Sequence, residues 1–414
     1  MAGTVHVVGA GLAGLSAAVR LASTGTQVAV YEATGQPGGR CRSYHDQATG
    51  MVIDNGNHLL LSGNYSALSY LRTIGTEAGL AGPSSAEFHF IDLASRERWT
   101  LRFNDGRLPW WIFDAKRRVP GTRVANYAAV VPLLLRRQER SICDVVTCAG
   151  PLYERLLHPL LLAALNIAPR DGSAALAGAV IRETLVKGGA ACRPLIARAG
   201  LGNVFIAPAL HYLEERAVVV RLMHELRAMH FDRERVTALD FGGGTITVNS
   251  DDAVILAVTP SAAATLVPDL STPSSYRAIV NAHFRIGPPG NFPPMIGVLN
   301  GIVEWVFAFP DRLAVTISNA DRLLDTPREA LAQRIWHDVS AILDATTELP
   351  PWQIVRERRA TFAATPTENA KRPGAQTAWA NLYLAGDWTA TGLPATIESA
   401  IRSGHRAAEF ASRG

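Results

Sequence analysis

Two carboxylates stand where short apolar runs end. Glu32 follows Val28-Ala29-Val30-Tyr31, and Asp387 follows Leu382-Tyr383-Leu384-Ala385-Gly386 near the far end of a 414-residue chain. An acid so placed can accept hydrogen bonds from a ribose or ribityl hydroxyl. Glu32 lies about 20 residues beyond Gly9-x-Gly11-x-x-Gly14, the spacing of a dinucleotide site. There Gly9 would allow the tight turn, Gly11 the approach of a pyrophosphate, and Gly14 close helix-to-strand packing. Leu12 and Ala13 open the helix whose free N–H groups and positive dipole end would face the phosphates. Gly38-Gly39-Arg40 adds further N–H groups and a planar guanidinium fork. Ala395-Thr396-Ile397, just past Gly386-Asp387, begins a second helix suited to the same task. Between these ends lies Asp54-Asn55-Gly56-Asn57-His58. In this polar turn Asp54 is expected in a structural role, and His58 is a proton donor for the physiological range.

The elements that must hold these residues can be read in part. Val5-His6-Val7-Val8, the glycine turn, a helix with Leu15, Ala18, Val19 and Ala22 on its apolar face, and the run ending at Glu32 make a βαβ unit. Gly75 to about Gly200 reads as helical, with stretches at Val124–Arg137, Leu152–Leu165 and Ala174–Val186 after the aromatic cluster Trp110-Trp111-Ile112-Phe113. Asn166 is placed to cap the second of these before Pro169, or to donate into a pocket. Strands return at 235–258 around the turn Gly242-Gly243-Gly244, with Val236 a backbone contact for an adenine. A mixed sheet is expected at Ala278–Phe284, Met295–Leu299, Trp305–Phe309 and Ala314–Ser318, with Arg328–Leu343 as a helix behind it. The fold class is therefore α/β: a Rossmann-like nucleotide domain (1–74, 205–262 and 376–414) interleaved with an α+β substrate domain. The latter comprises a helical lid (75–204) and the mixed sheet (263–375).

Composition narrows the classes. Charged residues are 18% and the net charge is +4, too small an excess to decide for attraction to anionic lipid, and no nucleic-acid partner is expected. The four cysteines (Cys41, Cys143, Cys148, Cys192) form no C-x-x-C pair and no metal spacing, so a reducing compartment without a disulfide scaffold and without a metal is expected. No apolar run reaches the roughly 18 residues of a spanning helix. The nearest, Tyr127–Leu135 and Leu156–Leu165, are flanked by Arg136-Arg137 and Arg155 and read as core or interfacial segments. No targeting segment is evident at the N-terminus. A cytoplasmic protein is expected, with peripheral contact at the inner face of the plasma membrane.

A GG-R sequence at this distance from the ribose acid resembles flavoproteins of the amine oxidase and carotenoid desaturase superfamily, which favours FAD over a nicotinamide and implies that Asn55 and Gly56 run along the edge of the flavin ring. Asp54 to Leu61, Leu160 to Asn166, Arg359 to Pro366 and Leu384 to Ala400 look like the squalene-associated FAD-dependent desaturases, the hydroxysqualene dehydroxylase branch. The similarity spans nearly the whole chain, and Asn55-Gly56-Asn57-His58-Leu59-Leu60-Leu61 and Ala385 to Thr396 are its specific parts. It implies a FAD enzyme that reduces hydroxysqualene to squalene for hopanoid synthesis, working beside other enzymes of that pathway. No lysine lies between Lys187 and Lys371 and no tyrosine follows Tyr383, whereas amine oxidases commonly hold a lysine near the flavin and aromatic residues around the amine. No cysteine follows Cys192, so the flavin is expected to be non-covalent.

On that resemblance, an acid near the allylic hydroxyl would help it leave as water, and hydride from reduced flavin would complete the product. His58 is the expected donor. A phytoene-like desaturase, a flavin amine oxidase and a flavin-binding scaffold without activity are the competing readings.

Overall fold

The computed structural model describes residues 3–135, 140–345 and 348–413. The strands that position the site are, in chain order, β1 (Thr4–Val8), β2 (Gln27–Tyr31), β3 (Glu87–Asp92), β4 (Arg98–Arg102), β5 (Val219–Arg221) and β6 (Ala253–Leu256). They continue with β7 (Tyr276–Phe284), β8 (Met295–Leu299), β9 (Trp305–Ala308), β10 (Leu313–Ile317), β11 (Trp352–Phe362) and β12 (Leu382–Leu384). The helices used below are α1 (Leu12–Ala22), α2 (Tyr65–Thr73), α3 (His158–Leu165), α4 (Ala174–Glu183), α5 (Arg328–Leu343) and α6 (Ile397–Ala411).

Five of these strands make a parallel sheet in the order β5-β2-β1-β6-β12. Its strands come from three separated stretches of chain. Apolar β-branched runs suit such strands because both faces are covered. Every residue of α1 except Arg20 is buried. The reason is α6, which crosses it at Gly404: a Cβ there would lie 2.1 Å from the Ala13 carbonyl oxygen and 2.2 Å from Ser16 Oγ. Thr396 caps α6, its side chain accepting from the Ser399 N–H. Glu398, buried in the first turn of α6, accepts from the N–H groups of Ser66 and Ala67 and so caps α2.

A seven-stranded mixed sheet runs β11-β7-β10-β9-β8-β3-β4, antiparallel throughout except between β8 and β3. Alternation assigns its faces. Val280, Ala282, Phe284, Val306, Val315 and Ile317 point to one side, where Leu331, Ile335, Val339 and Ile342 of α5 cover them. Asn281, Thr316, Trp305, Gly297, Phe90 and Trp99 are cross-strand neighbours and form one row on the other side.

The strands expected at 278–284, 295–299, 305–309 and 314–318, and the helix 328–343, are present with ends shifted by at most two residues. Three expectations are corrected. The stretch 75–204 is not helical at its start, because β3 and β4 form a hairpin that completes the mixed sheet. β11 carries Arg356, Glu357, Arg358 and Arg359, a charge density that hid it; as an edge strand it tolerates those charges. The helix expected over Val124–Arg137 is a 3₁₀ turn, Val124–Val130, followed by one α-turn, Val131–Leu134, while Arg136 and Arg137 lie outside the described residues. In 152–165 a π-turn, Tyr153–Leu157, precedes α3, because Pro159 has no N–H to continue the ladder.

The cysteines also differ from expectation. Cys143 and Cys148 form a disulfide with Cα atoms 5.5 Å apart, leaving Cys41 and Cys192 as buried free thiols. The bond closes only a tight turn, so it staples one loop rather than scaffolding the fold, and a search for C-x-x-C spacing could not reveal it. Among the described residues no helix is long and apolar enough to cross a membrane.

Candidate active site

The three glycines of the first turn have three different surroundings. Gly9 has φ +106°, and a Cβ there would fall 2.4 Å from the Ala257 carbonyl oxygen. At Gly14 a Cβ would fall 1.8 Å from the Gly9 oxygen. Gly11 has an ordinary backbone, φ −75°, with nothing within 4 Å of a built Cβ. A glycine that neither conformation nor packing requires leaves room for a ligand. No side chain caps the start of α1 and its first turn holds no acid, so the N–H groups from Leu12 to Gly14 face that space. Gly38 donates its N–H to the Ala10 oxygen (2.8 Å), and the Gly39 Cβ position is 3.6 Å from Gly11 Cα, so the second glycine pair edges the same cradle. Glu32 closes it: its carboxylate accepts from Ala10 N–H (2.9 Å), Thr34 N–H (2.9 Å) and the Thr34 hydroxyl (2.9 Å).

The two ends of the chain meet here. Arg40 Nη2 donates to Asp387 Oδ1 at 2.7 Å, across 347 positions, and a second guanidinium nitrogen donates to the Ala360 oxygen. Asp387 raises the Arg40 pKa, so the guanidinium stays charged. Arg40 is thus held by the carboxylate that would otherwise meet a hydroxyl, and it remains 44% exposed. The Gly386 turn has φ +152°, and a Cβ there would fall 2.3 Å from Nε1 of the Trp388 indole, so only glycine fits. Arg372 secures this turn by donating to the carbonyls of Asp387, Trp388 and Thr389. Burial brings the Arg372 pKa down to about 10 against the opposing pull of Asp387, and it is still charged at neutral pH. Ala395 is half-buried and Ile397 buried beside the Thr396 cap.

The polar stretch after Met51–Asp54 joins this cradle to the mixed sheet. Asp54 is structural: its carboxylate accepts from the Ser43 hydroxyl and from Leu201 N–H (2.8 Å). Asn55 donates to Glu357 on β11 at 3.1 Å, and its carbonyl accepts from Asn281 Nδ2 at 3.4 Å. Asn57 reaches the sheet row directly, donating to Asn281 Oδ1, the Val315 oxygen and Thr316 Oγ1 at 3.2–3.4 Å. Its own Oδ1 is buried without a donor among the described residues. At Gly56 a Cβ would lie 3.4 Å from Asn281 Nδ2 and 3.5 Å from His58 Nε2, so the glycine lets the loop run flush against the sheet.

His58 is half-buried, and neither ring nitrogen has a hydrogen-bond partner among the described residues. Burial first, then the charge of Arg40, brings its pKa down to about 4. At neutral pH it is a neutral imidazole, which corrects the expectation of a donor titrating in the physiological range. Val236 is also corrected. It is buried in a hairpin, with its N–H donating to Asn381 Oδ1 (2.9 Å) and its carbonyl accepting from Asn381 Nδ2 (3.0 Å). That N–H is committed and is not available to an adenine. Asn381, Arg372, Asn281 and Thr316 were not legible as site residues, although one amide inside the apolar run 278–284 was a signal for Asn281.

Beyond Thr316 the sheet row turns aromatic. Trp305 packs edge-on against Phe90 (5.7 Å), and Phe90 stacks on Trp99 (5.4 Å). Gly297 makes the space, since a Cβ there would lie 2.6 Å from the Phe90 ring. Helical residues, Leu133, Leu156, Leu161 and Leu165, lie in the same apolar cluster. The fold therefore brings together a glycine-rich cradle, one amide–imidazole patch and a largely buried aromatic row.

A dinucleotide cradle assembled from both chain termini, set against a mixed sheet, is the architecture of a flavin oxidoreductase. Residues 12–410 match the family described as flavin containing amine oxidoreductase, and the chain belongs to that family. Within it, the chain is 60% identical over 411 residues to hydroxysqualene dehydroxylase of Rhodopseudomonas palustris, covering 99% of this chain and 98% of the relative. Hydroxysqualene dehydroxylases of Sinorhizobium fredii (57%) and Zymomonas mobilis (48%) match over 98% of both chains. Among solved structures, an oxidoreductase from Methanosarcina mazei aligns with TM-score 0.73 at 14% identity, covering 98% of this chain and 100% of that one. Cyclohexylamine oxidase from Brevibacterium oxydans aligns with TM-score 0.69 at 15% identity, over 100% and 99% of the two chains. At such identities the likeness is one of fold alone.

Proposed function

We infer that this chain is a FAD-dependent oxidoreductase that removes the hydroxyl of hydroxysqualene to give squalene. The observation that carries the reading is the composition of the sheet row: one amide patch, Asn57 with Asn281 and Thr316, continuing into Trp305, Phe90 and Trp99. An isoprenoid alcohol needs one polar contact and a long apolar bed, whereas an ammonium substrate would need carboxylates or an aromatic cage. Full-length identity to relatives named for this activity supports the substrate.

Gly11, Leu12, Ala13, Gly14, Gly38, Gly39 and Arg40 would hold the pyrophosphate, and Glu32 a ribose. Gly386, Asp387, Ala395, Thr396 and Ile397 would lie along the ribityl chain and ring, with Asn55 and Gly56 at the ring edge. The bound group, held non-covalently, would supply hydride equivalents when reduced. The chain's own part is to align the allylic carbon on the aromatic row, exclude water and meet the leaving oxygen. His58, whose Nε2 and Asn281 Nδ2 both flank the Gly56 Cβ position, would orient that hydroxyl as a neutral imidazole. The C–O bond would break as the oxygen takes up a proton drawn from solvent, water would leave, and the hydride equivalent would complete the new C–H bond. We place the nucleotide domain at 1–74, 205–262 and 376–414 and the substrate domain between. Peripheral contact with the membrane that dissolves the substrate, and with other squalene-pathway enzymes, belongs to the same reading.

The test is anaerobic. The purified flavoprotein is reduced with dithionite, hydroxysqualene is added, and flavin reoxidation is followed with product analysis. Reoxidation with one squalene per flavin is expected. A flavin that stays reduced would overturn the reading, and phytoene conversion would favour a desaturase instead.

A further inference from the structure

The surface between β4 and α4 carries an unusual combination of groups. Leu108, Trp110 and Phe113 are 64%, 63% and 61% exposed, and Val131 and Leu135 are each 55% exposed. Trp110 and Phe113 belong to one short turn whose middle residue, Trp111, is buried against Phe103 (4.9 Å) and Tyr127 (5.2 Å). The anchored Trp111 holds its neighbours outward. The Tyr127 contact also joins this turn to the segment 124–134, where Ala128, Ala129 and Val131, with Leu135 just beyond, are exposed.

The rim of the patch is basic. Residues 105–123 hold Arg107, Lys116, Arg117, Arg118 and Arg123 against two acids, Asp105 and Asp114. Asp114 turns its carboxylate to the Lys116 N–H. Among the described residues no carboxylate lies within ion-pair distance of Arg107, Lys116, Arg118 or Arg123, although ion pairs are formed elsewhere, as by Arg155 with Glu97 and Arg20 with Glu409. Exposed indole and phenyl rings beside unpaired cations match the boundary between anionic headgroups and acyl chains. A water-facing surface would gain nothing from them.

We propose that Leu108, Trp110 and Phe113, with the rim Arg107, Lys116, Arg118 and Arg123, dock this protein on an anionic lipid bilayer. The proposal deepens the peripheral-membrane part of the functional reading and rests on it. The patch is continuous with the site: Trp111 packs on Phe103, Phe103 on Phe88 (5.8 Å), and Phe88 and Phe90 lie on the same face of β3. Docking here would set the helical cover of the aromatic floor against the phase in which a polyisoprenoid dissolves.

The experiment is vesicle flotation of the purified holoprotein without substrate. Phosphatidylcholine vesicles are compared with vesicles carrying about one-third phosphatidylglycerol, at low and high salt. The wild type should float with the anionic vesicles and detach as salt rises. Trp110→Ser/Phe113→Ser and Lys116→Ala/Arg118→Ala should each weaken partitioning by about tenfold or more. Both variants should keep the flavin spectrum and turnover of detergent-dispersed hydroxysqualene, which separates failure of this surface from failure of the enzymatic reading. Wild-type flotation that neither variant reduces would overturn the surface while leaving membrane contact standing. No flotation of the wild type would overturn both, and a wild-type dimer that these variants dissociate, with no flotation, would assign the patch to a second copy of the chain.

Discussion

Among single residues, the glycines of the first turn separate binding from folding. Gly11→Ala meets no protein atom within 4 Å and has an allowed φ, so the melting temperature of the apoprotein should hold. Its methyl would occupy ligand space, and flavin affinity should fall about tenfold, the equivalent of one or two backbone hydrogen bonds. Gly14→Ala drives a methyl to 1.8 Å from the Gly9 oxygen and should cost about 3 kcal/mol of stability before any ligand is added. Flavin absorbance per protein and apoprotein melting, measured on both variants, test the contrast; equal melting would sink it. His58 is the other decisive residue. Because its pKa is about 4, its own contribution to turnover should be flat between about pH 6 and 8. His58→Ala should lower turnover about 100-fold with flavin still bound. A rate that climbs tenfold for each unit of acidification would instead make the imidazolium the acid.

Elements carry the next level of the design, since the cradle is closed by strands and helices far apart in sequence. The Arg40–Asp387 pair ties the loop after β2 to the end of β12. Arg40 is 44% exposed, so solvent weakens the pair, and Asp387→Ala should cost only about 1–2 kcal/mol of stability. Flavin affinity should suffer more, by about 10- to 100-fold, because Arg40 loses its aim. Flavin titration against chemical denaturation separates the two effects. In the turn from β8 to β9, Glu304 accepts from Ser318 N–H at 2.8 Å, yet burial raises its pKa to about 7. The unfolded chain releases that proton near 4.5, so native Glu304 holds it longer and stability is lost as pH rises from about 4.5 to 7. Glu304→Gln keeps the acceptor and removes the titration. It should be about 1–3 kcal/mol more stable than wild type at pH 8 and indistinguishable at pH 4.5, as read by melting at the two values. A pH-independent difference would refute this account.

The whole molecule should respond to acid in the opposite sense. His58, His283 and His405 are each brought down to about 4, all chiefly by burial. Unfolded histidines take up protons below about 6.5, while the native ones stay neutral until about 4. Through that window the unfolded state binds more protons, so stability falls as pH falls, and three such groups outweigh the contrary slope of Glu304. The melting temperature should therefore be lower at pH 5 than at pH 7; a higher one would show that these rings gain partners on acidification.

What the amino-acid sequence determined by itself was local or periodic. The Gly9-x-Gly11-x-x-Gly14 turn, the acid after β2, and the apolar runs of β7 to β10 with α5 behind them follow from near-neighbour sterics and from side-chain alternation, which act over a few residues. The candidate motifs Asn55 to His58 and Gly386 to Ile397 could be picked out in the same way. Tertiary structure alone decided what those residues meet. It spent Asp387 on Arg40 and committed Val236 to Asn381, contacts across long stretches of chain that no spacing encodes, and it folded Arg372 back under the Gly386 turn 15 residues on. It also decided protonation: His58 is an ordinary histidine in sequence, and burial beside the Arg40 charge moves its titration down to about 4, out of the physiological range. Strand β11 shows the same limit, because its charges are acceptable only at a sheet edge, and an edge exists only once the other strands have assembled.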